Sequence, residues 1–321
     1  MPPPLWFDEQ TVHSLLPMRD LIPCMRKALI EFSGGRVRQP VRTVIEVDSA
    51  PSFFGTMPAY APDSSALGAK LVTVFPANVA QGLPSHLATI VLLDAATGAL
   101  LAVMDGRFIT EARTAAVSAV ALDVLAPKSC PVLAIIGSGV QARSHLEALP
   151  LVRSFTEIRC WSPTPANVQS LTAAFDHLRV VAAQSAEAAA RGANAIVLVT
   201  SSLVPVIESA WVEECACVIS VGACRPNHRE MDPALVARAR VYVDSRASAL
   251  RESGDILMGM AEGRFTESHI VAELGEMAAN PPGPGEHVTV FKSLGLAVED
   301  VAAAQLVYQR ALIAGKGLPL A

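Results

Sequence analysis

The sequence predicts an α/β protein in which a doubly wound parallel-sheet domain is joined to a mixed α+β domain. After Pro127 the chain alternates short aliphatic, β-forming runs with helical stretches, the rhythm of a parallel sheet covered on both faces. Before Pro127, apolar runs are separated by turn residues, as in a sheet whose strands follow one another through short loops. At Gly137 one aliphatic strand breaks into Gly-Ser-Gly and resumes as a helix. The length, 321 residues with 51% hydrophobic, is sufficient for two cores.

"FDEQTVHSLLPMRDLIPCMRKALIEFSGG" has a helical period from Leu21 to Phe32, and Gly34-Gly35 ends it. "VRTVIEV", "FFGTMPAY", "LGAKLVTVF" and "HLATIVLLDAATGALLAVMDG" read as strands, the last turning at Ala-Thr-Gly into a hairpin. They predict a mixed or antiparallel sheet with few helices. "FITEARTAAVSAVALDVLA" is rich in the best helix formers, and Pro127 closes it. Then "VLAIIG", "EIRCWS", "RVVAA", "AIVLVTSS", "ACVISVGA" and "RVYVDS" are strands, with "VQARSHLEALPLV", "ANVQSLTAAF" and "SAEAAARG" as helices among them. "LGLAVEDVAAAQLVYQRALIAG" is a last helix that folds back onto the first domain. The expected domains are 1–118 with 297–321, and 119–296. The patch from Pro281 to Gly285 reads as a surface loop.

Net charge is −5 with 17% charged residues and no block of like charge, which argues against nucleic acid as a partner and favours small molecules. No apolar run free of Pro, Gly and charge approaches the roughly 20 residues that span a bilayer. Met1 to Asp8 lacks the basic start and apolar core of a leader, so the expectation is a cytoplasmic protein without membrane contact. Six cysteines are too sparse for a disulfide framework, and Cys215 and Cys217 have no second pair at zinc spacing. They read as small buried thiols, and no metal site is expected.

"GSGVQA" carries Gly137, Gly139 and Ala142 at G-x-G-x-x-A spacing, the fingerprint of a Rossmann dinucleotide domain. Gly137 permits the tight turn, Gly139 lets backbone approach a pyrophosphate, and a small third residue keeps the helix close to its strand. Ser138, Val140 and Gln141 belong to the same turn, whose amides face the anion. About 20 residues on, where an acidic group would bind the ribose of NAD, stands "RCWSPTPAN" with Ser162 and Thr164 and no carboxylate. Hydroxyls there accept a ribose 2′-phosphate, so NADPH is the preferred cofactor and NADH the alternative. The arginine that often clasps that phosphate is absent unless Arg159 or Arg143 reaches in. Thr200 and Ser201 end the "AIVLVTSS" strand, where doubly wound sheets bind ligands.

The stretches "QPVRTV", "MPAY", "KLVTV", "PSHLAT", "LLAVMDG", "ITEARTAAVSA", "GSGVQARSH", "VGACRPNHREMD", "YVDSRASALRESGD" and "TVFKSLGLAVED" resemble the ornithine cyclodeaminase and mu-crystallin family, its mu-crystallin branch in particular. They run in order from Gln39 to Asp300. The resemblance implies a homodimer with a substrate domain, which carries the subunit contact, and a nucleotide domain. It also implies NAD(P)H-dependent reduction of cyclic ketimine carboxylates to cyclic amino acids. Relatives include ornithine cyclodeaminases and alanine or opine-type dehydrogenases, and some members bind thyroid hormone, so a nucleotide-dependent binding protein is a further alternative.

A reductase of imino acids must hold a carboxylate, for which the planar fork of arginine is suited. Arg42 and Arg113 are the candidates, although Arg113, alone in an Ala-rich helix, also reads as an ion pair stitching helix to sheet. Lys70 lies in a nearly apolar strand, snorkelling or buried for a purpose; the resemblance makes it the active-site lysine. His86 reads as a structural group or as an acid for the amine, with Ser85 beside it. Where cyclodeaminases and archaeal alanine dehydrogenases carry an aspartate this chain has Cys224, followed by Arg225, whose charge suits an anionic substrate. Lys292 and Ser293 are placed near the nicotinamide by the resemblance, against the reading of a capped turn.

Overall fold

The computed structural model describes residues 3–47, 52–281 and 287–320. Of the Pro281 to Gly285 patch, all but Pro281 lies outside them. The chain divides into two compact units, Met1–Arg113 with Leu296–Ala321, and Thr114–Gly295.

The first unit begins with β1 (Leu5–Phe7), α1 (Glu9–Leu15) and α2 (Met18–Ser33). Asp8 caps α1 by accepting the Thr11 N–H. Helix α2 starts three residues before the apolar period and ends at Gly34, followed by Gly35 at φ 71°. Then come β2 (Thr43–Val47), β3 (Ser52–Ala61), β4 (Ala66–Val74), β5 (His86–Asp94) and β6 (Leu100–Asp105), each from β3 onward paired antiparallel to the one before. The β5–β6 turn forms because Asp94 accepts the N–H groups of Ala96 and Thr97 and Gly98 adopts φ 74°. Helix α3 (Arg107–Leu125) carries the chain across the boundary into the second unit.

There the chain runs β7 (Val132–Ile136), α4 (Val140–Ala148), β8 (Glu157–Trp161), α5 (Pro165–Ala174), β9 (Val180–Ala182), α6 (Ala186–Ala190), β10 (Ala195–Leu198) and β11 (Cys217–Ser220). It continues through α7 (Pro233–Arg238), β12 (Arg240–Val243), α8 (Arg246–Glu252), α9 (Gly254–Ala261), β13 (Ile270–Glu273), α10 (Leu274–Ala279) and β14 (Thr289–Lys292). The sheet order is β13-β12-β14-β11-β10-β7-β8-β9 and every pairing is parallel. Strands buried on both faces need no polar alternation, and β10 and β11 are wholly buried. From β7 the chain winds outward to β8 and β9, then returns to β10 on the other flank, which opens a crevice at the carboxyl ends of β7 and β10. Strand β14 inserts between β11 and β12, an edge-to-centre move that short apolar runs do not announce.

The chain then re-enters the first unit as α11 (Ala297–Ala314) and β15 (Leu318–Pro319). The seven strands of that unit lie in the order β15-β1-β6-β5-β4-β3-β2, mixed because β1 and β6 are parallel. The Ala-rich α11 lies against α2 and the β3–β5 face. The six cysteines are free; Cys130, Cys160 and Cys217 are buried, but Cys215 is exposed, contrary to a buried-thiol reading. Among the described residues no helix is long and apolar enough to cross a membrane.

Candidate functional site

Each unit contributes one set of candidate residues. In the first, alternation along β4 places Lys70 on the same face as Ala66, Gly68 and Val72, all buried, while Leu71 is exposed. That face is covered by α11, whose first turn brings Glu299 and Asp300. Carboxylates belong at a helix N-terminus, where the unpaired amides favour negative charge, and the Gln39 side chain fixes the turn by accepting the Val298 N–H at 2.9 Å.

Asp300 divides its two oxygens between two cations. Oδ2 lies 2.6 Å from Lys70 Nζ, and Oδ1 accepts from Arg113 Nε at 3.0 Å. Arg113 also donates to Glu299 at 2.7 Å. Lys70 Nζ stands 3.5 Å from Thr110 Oγ1, whose own hydroxyl donates to Gly106 O. All four ionic groups are at most 5% exposed, so their attractions are screened by protein rather than by water. Arg113 is therefore ion-paired, but from helix α3 to helix α11 and not to the sheet, which joins the cluster through Lys70; two protein carboxylates bond its guanidinium.

Burial pushes the Lys70 ammonium down to about 8, assisted by repulsion from Arg113 and Arg42 and opposed by Asp300. Burial by itself raises a carboxyl, but Arg113 and Lys70 hold Asp300 below the ordinary carboxylate range. Arg42, just before β2, is half-buried and close enough to repel Lys70. His86 opens β5; burial first, then Lys70 and Arg113, push it down to about 4. A shift in this direction favours the neutral imidazole and works against the role of an acid for the amine. The sequence-predicted Lys70, Arg113, Arg42 and His86 thus lie within one electrostatic neighbourhood, carrying three strong cations against two carboxylates.

In the second unit, Gly137 follows β7 at φ 124°, and a Cβ there would stand 2.5 Å from Val199 O at the end of β10. Only glycine fits that backbone conformation and that approach. A Cβ on Gly139 meets nothing within 4 Å. Gly139 is the N-cap of α4 and gives it no side-chain cap, whereas α6, α7, α8 and α9 close their first turns with Ser or Asp. Ala142 is fully buried, as the third small position requires. The open space above Gly139 and the uncapped amides around Val140 and Gln141 fit a pyrophosphate.

Ser138 Oγ donates to Ser162 Oγ at 2.8 Å, and Ser162 Oγ accepts the Thr164 N–H at 3.2 Å. Hydroxyls, with no carboxylate, therefore stand at the end of β8. Arg159 does not reach them: it bonds Glu157 and the carbonyl of Arg191. Arg143 is exposed and lines a groove with Phe175 and His177.

Thr200, Arg225 and Ser293 sit on the turns after β10, β11 and β14. Thr200 is clasped by Glu230, Ser293 N–H bonds Ser220 O, and the Arg225 carbonyl accepts the N–H groups of His228 and Gly254. Cys224 donates to Val221 O at 3.2 Å and is half-buried. Lys292 is fully buried, 3.0 Å from Asp255, not part of a solvent-capped turn.

Sequence reasoning passed over Glu299, Asp300, Glu230, Asp244 and Asp255 as site residues. Asp244 accepts the N–H groups of Leu294 and Gly295, holding the turn that follows β14. The available signal was a carboxylate in a nearly apolar segment, as in "GLAVEDVAAA"; such a group is buried only with partners.

The family model described as the ornithine cyclodeaminase/mu-crystallin family matches residues 6–315. A mouse protein named ketimine reductase mu-crystallin is 45% identical over 293 residues, 90% of this chain and 91% of its own. The solved structure of Thermococcus litoralis Δ1-pyrroline-2-carboxylate reductase in complex with NADH and L-proline matches with a TM-score of 0.94 and 36% identity, covering 98% of this chain and 100% of that one. An archaeal alanine dehydrogenase dimer with bound NAD matches with a TM-score of 0.94 and 30% identity, covering 99% of each chain.

Proposed function

The chain belongs to the ornithine cyclodeaminase/mu-crystallin family, and from that premise we propose that it is an oxidoreductase that reduces the C=N bond of a cyclic ketimine carboxylate to a cyclic amino acid. The observation that carries this reading is the buried Lys70–Asp300–Arg113 cluster with Arg42 beside it. When bound, the reduced nicotinamide supplies a hydride to the imine carbon. The nitrogen then needs one proton for the amine to form, and Lys70, held near 8, is charged at neutral pH yet gives its proton up readily. Asp300 keeps the ammonium in place, and Arg113 keeps Asp300 ionised. Arg42, half-buried beside the cluster, is the arm that binds the substrate carboxylate. Neutral His86 contributes a hydrogen bond, not a proton. Arg225, on the turn after β11, adds positive charge that suits an anionic substrate.

Gly137, Ser138, Gly139, Val140 and Gln141 bind the pyrophosphate; Ser162 and Thr164 face the adenosine ribose; Thr200 and Ser293 complete the nucleotide site. The hydroxyl-bearing end of β8 favours NADPH over NADH. Thiol Cys224 in place of an aspartate, its hydrogen engaged with a carbonyl, removes the base that oxidation of a free amine uses. The subunit partner is a second copy of the chain, a reading supported by the exposed edge strand β2.

Loss of NADPH and NADH absorbance with piperideine-2-carboxylate and with pyrroline-2-carboxylate tests this. Turnover of at least one imine is expected, with the lower KM for NADPH. Oxidation of neither nucleotide by either imine, or release of ammonia from ornithine, would overturn it.

A further inference from the structure

Beneath the carboxyl ends of β10, β11 and β14 lies a second ionic cluster that the reduction does not use. Glu230, Asp255, Lys292 and Ser220 are each at most 2% exposed. Lys292 Nζ is 3.0 Å from both Asp255 Oδ2 and Ser220 Oγ, and the Ser220 hydroxyl stands 3.2 Å from Glu230 Oε2. Asp255 Oδ1 accepts the N–H groups of Glu230 and Met231, which fixes where the glutamate emerges.

Glu230 itself accepts from five donors. Oε1 takes the N–H and the hydroxyl of Thr200, each at 2.7 Å. Oε2 takes the N–H groups of Gly222 at 2.7 Å and Ala223 at 3.1 Å, besides Ser220 Oγ. Its backbone carbonyl accepts the Val206 N–H at 2.8 Å. One residue therefore holds both ends of the loop from Thr200 to Val206 and the turn after β11. The loop begins next to Val199, whose carbonyl is the atom pressed against Gly137. A buried carboxylate that accepts from five donors, four of them on the turns after β10 and β11, is an anchor for backbone, not a reacting group.

We propose that Glu230 is a positioning residue for the nicotinamide dinucleotide: it sets the turns after β10 and β11 that form the wall of the crevice facing Gly137. The inference rests on the reading of this unit as the nucleotide site. Glu230→Gln keeps the shape but replaces an acceptor oxygen with an amide that faces N–H or O–H donors, so one of the two turns must move away. Glu230→Asp keeps the acceptor charge at a shorter reach. Ser220→Ala removes the hydroxyl joining the glutamate to Lys292 and touches no turn directly.

The measurement is NADPH affinity by fluorescence titration in the absence of imine, with KM and kcat for each substrate alongside. Wild-type protein that binds neither NADPH nor NADH would refute the nucleotide reading and the inference with it. With wild-type binding established, Glu230→Gln is expected to raise the NADPH Kd and KM about tenfold or more, as loss of a charged acceptor does. The KM for the imine and kcat at saturating nucleotide stay near wild type, Glu230→Asp recovers part of the affinity, and Ser220→Ala, which keeps all the turn bonds, gives a smaller loss. A wild-type NADPH Kd in folded Glu230→Gln overturns the inference. So does a wild-type NADPH Kd in Glu230→Asp, whose shorter reach cannot hold both turns, should the glutamine variant not fold.

Discussion

A lysine at 2% exposure in the middle of a strand is held by Asp300, and Asp300 is kept ionised by Arg113 on one oxygen and Lys70 on the other. Removing members of this triad has unequal consequences. Lys70→Met leaves the Asp300–Arg113 pair intact, so the fold persists, and kcat/KM for the imine is expected to fall by about 10²–10⁴ while NADPH affinity is unchanged. In the wild type the protonated lysine is the active form; kcat/KM is therefore level on the acid side and falls as pH rises through about 8. Arg113→Ala takes one cationic partner from each of Glu299 and Asp300, both fully buried, and is expected to cost about 3–5 kcal/mol in denaturant unfolding. A level rate from pH 7 to 10, or full stability in Arg113→Ala, would contradict these assignments. A charge in an apolar strand left Lys70 open between snorkelling and burial, the resemblance assigned it to the site, and the structure buries it. Its partner was not legible, because pairing across more than two hundred residues leaves no mark in local spacing.

At the scale of elements, the turn from β7 into α4 separates two demands that one glycine motif combines. Gly137 is constrained by the protein itself, through φ 124° and the Val199 carbonyl; Gly139 is constrained by nothing in the protein. Gly137→Ala is expected to destabilise the nucleotide unit by about 1–3 kcal/mol. Gly139→Ala, at φ −83°, is expected to melt as the wild type does while binding NADPH far more weakly. Equal affinity in Gly139→Ala would show that the space above it is not used. The motif was readable because turn chemistry is local. By contrast, the four short helices α7 to α10 and the strands β13 and β14 escaped notice, since segments of four to eight residues carry too few periods to distinguish helix from strand.

At the scale of the molecule, β2 is an edge strand with Val44 47% and Ile45 56% exposed on opposite faces. An apolar, unprotected edge is a hazard to a free monomer and an asset to an assembly. Sedimentation is expected to give a dimer, and Ile45→Lys to shift it toward monomer at equal concentration; a wild-type monomer at micromolar concentration would remove β2 from the subunit contact.

Alone, the amino-acid order determined the parallel and mixed sheets, the return of the last helix to the first unit, and the dinucleotide turn. These follow from periodicity, turn residues and composition, which act over a few residues at a time. Only the tertiary structure decided which carboxylates hold Lys70 and Arg113, that burial and cationic neighbours push His86 down to about 4, and that Glu230 anchors two turns. Each depends on burial and on partners brought together by chain closure: Asp300 stands 187 positions from Arg113, and Glu230 thirty from Thr200. The energy of a buried charge is set by what surrounds it in space, and sequence separation does not encode that.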